Sequence, residues 1–279
     1  MNFRSQLDLL SFTLFSISSA FAQDDESSTD MPGLKSNAVY LGPVFGYNRA
    51  MHTADLASFP DSVVKCPTFT NGVANGFHAG IFYEQPFSAA SKHSIILRAL
   101  YSTLPASFTQ TGDEYPSLVK DATGAQKIIN SVTEHTLDVV YNTLSFDLMY
   151  KFKAIKDLVV TVGPTFDLPF TRTLTQKYKI IKPDNAQFSR VDNWEALGYR
   201  YEDNDRTIVV FDDQIKESAS LRAAIKVGVQ YEIMTGKKVD IIPGVFYQYA
   251  LTKVTSVDDW SVHAVQVGVD IRFAVPSPF

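Results

Sequence analysis

Apolar and polar side chains alternate one by one along eight segments of this chain. In residues 221–233, for example, Ile225 and Val227 fall on one face while Lys226 and Gly228 fall on the other. Because successive side chains of a β-strand point to opposite sides of the sheet, a period of two predicts strands with two different faces. The chain is therefore predicted to be an all-β protein.

The lengths of the connections indicate how these strands are arranged. Short turns follow the second, fourth and sixth strands, and long polar segments follow the first, third and fifth. Short turns at one end and long loops at the other are typical of an antiparallel barrel that spans an outer membrane. We therefore predict an eight-stranded antiparallel transmembrane β-barrel with short periplasmic turns and long extracellular loops. The predicted strands are residues 38–48, 76–84, 94–103, 143–152, 158–168, 221–233, 239–251 and 263–273, and the long loops are 49–75, 104–135 and 170–218.

One face of the predicted barrel is apolar, and the other combines glycines with charged residues. In a soluble barrel such as a lipocalin the apolar face would surround a ligand, whereas in a transmembrane barrel it would contact lipid. A narrow eight-stranded lumen needs small side chains and paired charges, so the polar face is predicted to line it. The six acidic and five basic residues of this predicted lumen charge network are Glu84, Arg98, Asp147, Lys151, Asp167, Arg222, Lys226, Glu232, Asp240, Asp270 and Arg272.

Aromatic residues on the apolar face gather near the ends of the predicted strands. Aromatic girdles at the two membrane–water interfaces are typical of outer-membrane barrels. Their repetition from strand to strand favours the membrane barrel over the soluble one. These aromatic residues are Tyr47, Phe77, Tyr83, Tyr101, Tyr150, Phe152, Tyr231, Tyr249 and Phe273.

The composition excludes several other classes of protein. A mean hydropathy of −0.04 leaves no room for several apolar helices of about 20 residues each, which a helical membrane protein needs. The formal net charge of −5 does not provide the basic surface that a nucleic acid partner requires. Cys66 is the single cysteine, so a framework of disulfides is excluded.

The N-terminus has the pattern of a secretory signal peptide, which is predicted to cover residues 1–22. Arg4 precedes an apolar stretch, and Ala20-Phe21-Ala22 provides a cleavage site of small residues. The polar residues 23–36 are predicted to form a flexible periplasmic leader, and residues 37–279 the barrel. The predicted location is the cell outer membrane.

The last predicted strand contains a polar-x-Gly-x-x-apolar-x-aromatic pattern, formed by Gln266, Gly268, Ile271 and Phe273. This pattern resembles the sorting signal that outer-membrane barrels present to the machinery that inserts them. The resemblance implies the barrel-insertion machinery as a partner, in addition to outer-membrane lipid.

The stretch Gly72–Pro86 contains Gly76-Phe77, Gly80 and Tyr83-Glu84 and looks like the second strand of PorT-like barrels. Over residues 37–273 the chain resembles the small bacterial outer-membrane β-barrel proteins of the OmpA/OmpX-like and PorT-like kind. The resemblance implies a structural or interaction role, such as membrane integrity, adhesion or a part in an envelope or secretion complex.

The sequence contains no motif of a nucleotide-binding, serine-hydrolase or zinc-dependent enzyme. We predict no catalytic site, no cofactor and no metal, and the protein is not expected to be an enzyme. The less favoured alternative is an enzyme at the outer rim, where a few loop residues could meet: His52, Asp55, Asp113, Glu134 and His135.

The longest predicted loop, 170–218, combines many charges with seven aromatic residues. Long structured loops often carry the function of a protein, so this segment is the predicted surface for an envelope protein partner. Two further hypotheses stay open: a narrow passive channel for ions or solutes through the lumen, and a soluble lipocalin-like binding barrel.

Overall fold

A computed structural model describes residues 38–56, 68–88, 91–120, 123–190, 192–235 and 239–276 of the chain, with the backbone alone for 112–120 and 276. The predicted signal peptide, the predicted leader and Cys66 lie outside the described residues. Among the residues that the structure describes, no helix is long and apolar enough to cross a membrane.

The described residues form thirteen strands, and all strand pairs are antiparallel. The strands are β1 (Ala38–Leu56), β2 (Phe69–Pro86), β3 (His93–Thr103), β4 (Ala106–Lys120), β5 (Gln126–Ile155), β6 (Leu158–Lys182), β7 (Gln187–Phe188), β8 (Arg200–Glu202), β9 (Thr207–Gln214), β10 (Arg222–Tyr231), β11 (Ile233–Met234), β12 (Val239–Ala250) and β13 (Asp259–Pro276). Five of the thirteen, β4, β7, β8, β9 and β11, lie outside the ring described below.

Eight strands close into a ring because the first strand pairs with the last. Around the ring the order is β1, β2, β3, β5, β6, β10, β12 and β13, and β13 then pairs with β1 from Ala38↔Pro276 to Asp55↔Asp259. Each of the eight segments with period-two patterning overlaps one strand of this ring. The prediction of an eight-stranded antiparallel barrel is therefore confirmed.

The strands extend well into the segments whose composition indicates long loops. β5 begins at Gln126, and β6 continues to Lys182. From Thr173 to Lys179, β6 pairs with β9 rather than β10. A sheet of β4, β5, β6, β9 and β8 thus projects beyond one side of the ring. The alternation of apolar and polar residues does not identify the strands of this projecting sheet, because polar residues occupy both of its faces. Thr133, which is buried, and Glu134, which points outward, are an example.

Glycines allow the inside of the narrow ring to hold large side chains. Gly46 pairs with Gly268 on one side and His78 on the other. A Cβ atom on Gly46 would lie 2.5 Å from the His78 ring and 2.6 Å from the Cα of Gly268, and would also meet the Val267 carbonyl. Since two of these three neighbours are backbone, the clash could not be relieved by a change of rotamer.

We therefore expect Gly46→Val to lower the stability of the folded barrel by about 1–3 kcal/mol, or to prevent folding, because the site cannot accept added volume. The measurement is the temperature at which the folded band converts to the unfolded band in a heat-modifiability gel. Ala79→Val adds similar volume on the outward face of β2 and is the matched control. Equal conversion temperatures for the two variants would contradict this account of Gly46.

Candidate functional site

A band of apolar side chains surrounds the outside of the ring. On β5, five successive outward residues, from Leu144 to Phe152, are 38–42% exposed, and on β10 Ile225 to Tyr231 are 42–50% exposed. The length from Leu144 to Phe152 matches the roughly 9–11 residues that a tilted strand needs to cross a bilayer. An apolar surface of this extent is unfavourable in water but is the surface that a barrel presents to lipid.

Aromatic side chains mark both edges of this apolar band. At the outer edge, Tyr101 contacts Phe77 and Phe170, with both ring centroids 5.7 Å away. At the inner edge, His93 packs between Phe87 and Phe152. The nine aromatics singled out from the sequence are all 37–52% exposed. They thus face outward, as the two girdles of a transmembrane barrel do.

The outward surface becomes polar beyond the outer aromatic row. Lys177 of β6 forms an ion pair with Glu202 of β8 at 3.2 Å, and Arg200 reaches both Glu202 and Asp212. A hydrogen bond from Arg200 lowers the pKa of the Glu202 carboxyl. The projecting sheet is therefore suited to water, in contrast to the band below it.

All eleven charged residues singled out from the sequence lie on the inner side of the ring. Ten of them are buried, and Asp240 is half-buried. A first group lies near the inner end, where Lys151 donates to Glu84 at 2.7 Å and to Glu232 at 2.6 Å. Arg272 donates to Glu232 and Asp240, both at 2.8 Å. Lys153, which that set of eleven does not include, adds a third cation to Glu232 at 2.7 Å.

A second group of inner charges lies farther toward the outer end. Lys226 donates to Asp147 at 2.7 Å, and Arg98 donates to Asp270 at 2.6 Å. Asp167 accepts from Ser145 and Gln248, and the Arg222 guanidinium stands 3.5 Å away. Arg222 also donates from Nη2 to the Val262 carbonyl at 3.0 Å. Each of these charges therefore has an opposite charge within 4 Å, which a buried ion needs.

Apolar side chains fill the rest of the interior in two clusters. The first, which we call the inner layer, includes Met149, which sits between Asp147 and Lys151 on β5. The inner layer comprises Val44, Phe82, Ile96, Leu100, Met149 and Phe246. The second cluster, which we call the outer plug, lies inside the outer half of the barrel: Ala50, Ala54, Leu56, Phe69, Leu104, Ala106, Phe108, Leu137, Val139, Tyr141, Leu174, Ile215, Val254, Trp260, Val262 and Ala264.

His52 is a polar group within the outer plug, and both of its ring nitrogens have partners. Trp260 donates from its indole N–H to Nδ1 of His52 at 3.0 Å, and Nε2 of His52 lies 2.9 Å from the Leu104 carbonyl. Since an indole nitrogen only donates, Nδ1 accepts and Nε2 carries the proton, so the ring is neutral. Burial lowers the pKa of His52 to about 3, although the Leu104 carbonyl opposes the shift. His52 lies on β1 beyond the outer aromatic row.

The structure does not bring the candidate rim residues His52, Glu134 and His135 together, and the side chain of Asp113 lies outside the described part of the chain. His52 contacts Phe108 and Trp260 in the outer plug. His135 instead contacts Tyr178, with ring centroids 4.3 Å apart, and bonds to Thr133. Glu134 faces away from His135 because the two residues are successive on β5. Within the described part of the chain, no group of three or more histidine, cysteine, aspartate or glutamate residues is placed to hold a metal.

Sequence reasoning missed Trp260, the largest side chain of the outer plug. It precedes the predicted start of the last strand, at 263, but has the same parity as the inward residues Ala264 and Gln266. Extending the period-two pattern backward by three residues, from 263 to 260, would have placed Trp260 inside the barrel.

Glu232 accepts hydrogen bonds from three cations, so its neutralisation should leave those three cations with only two carboxylates, Glu84 and Asp240. We expect Glu232→Gln to destabilise the barrel by about 3–5 kcal/mol, the usual cost of breaking a buried ion pair. The measurement is the free energy of unfolding in urea. Glu202→Gln is the control, since Glu202 also pairs with two cations but at the surface, where such pairs contribute little. A similar loss for both variants would contradict the role given to Glu232.

The neutral, buried His52 should make the stability of the barrel depend on pH. The unfolded histidine has a pKa near 6.5 and the folded one a pKa of about 3, so its contribution is complete above about pH 6.5. It is lost as the pH falls toward 3, with a penalty of about 2 kcal/mol near pH 5. We expect His52→Gln to flatten the dependence of unfolding free energy on pH between these limits. An unchanged slope would show that His52 is not responsible.

Comparison with known proteins yields only distant likenesses. No protein-family model matches the chain, and no curated protein matches it in sequence. Among solved structures, the attachment invasion locus protein Ail of Yersinia pestis is 10% identical and aligns over 84% of this chain and 98% of its own, with a TM-score of 0.29. Neisserial surface protein A is 13% identical over 84% and 96%, with a TM-score of 0.34. The outer membrane protease OmpT of Escherichia coli is 9% identical over 89% and 100%, with a TM-score of 0.35. Values this low support no inference about the present chain, whose architecture follows from its own strand pairing.

Proposed function

We propose that this chain is a bacterial outer-membrane β-barrel with a closed interior and a structural or interaction role. The observation that carries the proposal is the division of side chains between the two faces of the ring. Outward residues such as Phe146 and Val227 are apolar and about 40% exposed, whereas inward charges such as Asp147 and Lys226 are buried and paired. A soluble barrel would have the opposite arrangement.

The filled interior supports a closed barrel over a channel. An open pore would need a continuous polar path, but the inner layer places Met149 between the charged Asp147 and Lys151 of β5, and Phe82 next to the inward Glu84 of β2. The outer plug then occupies the outer half, where Trp260 and Tyr141 are at most 1% exposed. Eight strands leave an interior just wide enough for side chains, and here those side chains are large.

The segment 170–218 supports an interaction role at the outer end. Arg190 stacks against Trp194 at 5.3 Å and Tyr201 at 5.5 Å, and Asp205 accepts from its guanidinium at 2.9 Å. Leu197, in the same turn, is 57% exposed. Arginine and aromatic side chains are the residues that protein interfaces favour. We propose this tip as the surface for an envelope protein partner.

Insertion into the membrane is proposed to use the C-terminal strand. Phe273 is 38% exposed at the inner edge of the apolar band, while Gln266 is buried inside. Gly268 pairs with both Gly46 of β1 and Gly244 of β12. These positions are compatible with a terminal strand that presents an apolar face and a final aromatic to the barrel-insertion machinery.

Reconstitution in planar bilayers tests the proposal against a channel. We expect the folded protein to produce no steady single-channel conductance, because the inner layer and the outer plug close the lumen. Folding in the same sample is checked by the gel shift on heating, and solubility by dependence on detergent. A reproducible unitary conductance would favour the channel. A protein that stays monodisperse without detergent would contradict the membrane location itself.

A further inference from the structure

The wall of the barrel contains a seam between β2 and the start of β4. β2 pairs with β3 from Pro86↔Ser94 to His78↔Ser102, and no strand pairing of the described residues continues from there. β4 pairs only with β5 and β7 among the described strands. If the register of β2 and β3 continued, Val73 would lie opposite Ser107. The outer part of β2 therefore lies beside β4 without a backbone ladder.

The local sequence explains why the ladder stops there. Pro105 lies two residues after the end of β3 and has no N–H to donate. Side chains replace the missing backbone bonds: Thr103 Oγ1 accepts from the Phe77 N–H at 2.8 Å, and Asn48 Nδ2 donates to the carbonyls of Phe77 and Thr103 at 3.0 and 3.2 Å. The Leu104 carbonyl is satisfied by His52 rather than by β2.

Side-chain packing, together with these side-chain hydrogen bonds rather than a backbone ladder, closes the seam. A Cβ atom on Gly72 would lie 2.6 Å from the Phe108 ring, and one on Gly76 would lie 3.0 Å from Pro105 Cδ. Phe108 also packs edge-on against Phe69, with ring centroids 6.1 Å apart. Contacts of this kind separate without breaking a ladder, so this part of the wall should open at lower free-energy cost than the paired parts.

The seam joins an apolar interior to the outer membrane–water interface. Phe108 belongs to the outer plug and borders the seam at Gly72, and its ring centroid is 6.3 Å from that of His52 and 6.4 Å from that of Trp260. The lower end of the seam is at Phe77, in the outer aromatic row. Just above it, on the outward surface, Arg49 donates to Asn75 of β2 at 3.0 Å and remains exposed. A cation thus stands on the outward surface of β1, beside β2 and near the lower end of the seam.

We propose that this seam is a lateral opening through which an anionic amphiphile with a single apolar tail enters the outer plug from the outer leaflet. The tail displaces Phe108 from Gly72 and contacts the plug, and the headgroup pairs with Arg49. Free fatty acids and the acyl chains of anionic lipids share this chemistry. The inference rests on the membrane location proposed above.

Trp260 is a reporter for such an occupant. Trp194→Phe leaves Trp260 as the only tryptophan, and Cys66→Ser removes the only cysteine. In this background, Val73→Cys and Ser107→Cys are joined across the seam by a short thiol crosslinker. The matched control joins Thr53→Cys to Asn71→Cys, which face each other on the paired strands β1 and β2. The probe is dibromostearate, which quenches tryptophan fluorescence at short range, added to protein in bilayers.

Before crosslinking, we expect dibromostearate to quench the fluorescence of Trp260 saturably in both double-cysteine variants. Crosslinking the seam should raise the half-saturating concentration more than about tenfold, while crosslinking the control pair leaves it unchanged. Arg49→Gln should also raise the half-saturating concentration of dibromostearate. An unchanged half-saturating concentration would overturn the role of Arg49. Quenching that survives the seam crosslink, or is never saturable, would overturn the lateral opening.

Bilayers of brominated phospholipid without added fatty acid distinguish the two sources of the tail. If Trp260 is quenched in these bilayers and the seam crosslink abolishes the quenching, the result supports the opening with a lipid acyl chain as the occupant. The gel shift on heating is recorded in every sample, so that failure of the barrel to fold in the membrane is distinguished from failure of the seam to open.

Discussion

The narrow interior of an eight-stranded ring is the constraint on which the rest of this structure depends. Successive side chains of each strand point in opposite directions, so an apolar outer face commits every second residue to the inside. An inward charge cannot reach water and must find an opposite charge within the ring. Lys151 illustrates this, because its ammonium contacts Glu84 of β2 and Glu232 beyond the end of β10. The ion pairs therefore connect strands that are not neighbours in the wall.

The same lack of space explains the distribution of small residues. Long inward side chains can cross the interior only where another strand contributes almost no volume. Gly228 has the Phe246 ring against it, and Gly46 and Gly268 together accommodate His78. The large inward side chains of Phe246 and His78 therefore depend on glycines of nearby strands for the space that they occupy.

Period-two patterning predicts the ring because lipid and lumen impose opposite chemistry on the two faces of a strand. The contrast is strong between Val227 and Lys226, and the boundaries of β3, β10 and β12 follow from it to within two residues. Beyond the outer aromatic row the outward face meets water, so Thr133 and Glu134 differ little in polarity and the pattern no longer identifies a strand. The extra residue at Phe170, where pairing shifts between Pro169↔Thr143 and Thr171↔Asn142, further changes the parity that patterning relies on. Contacts across the interior, such as that of His52 with Trp260, join residues 208 positions apart and leave no local signal.

The seam shows why a local irregularity can be more informative than the regular wall around it. A continued ladder between β2 and β4 would satisfy the backbone with its own groups and would need no particular side chain. Instead, Asn48, Thr103 and His52 each supply a hydrogen bond to a backbone group, and Pro105 removes the donor that a ladder would use. Unpaired carbonyls in a buried wall are costly, so these three side chains keep the gap from being strongly destabilising. The wall is thereby closed at this point by groups that can rotate away, whereas a ladder can open only by separating two strands along their length. This difference lowers the free-energy cost of opening the wall locally, so this part of the barrel is suited to transient opening.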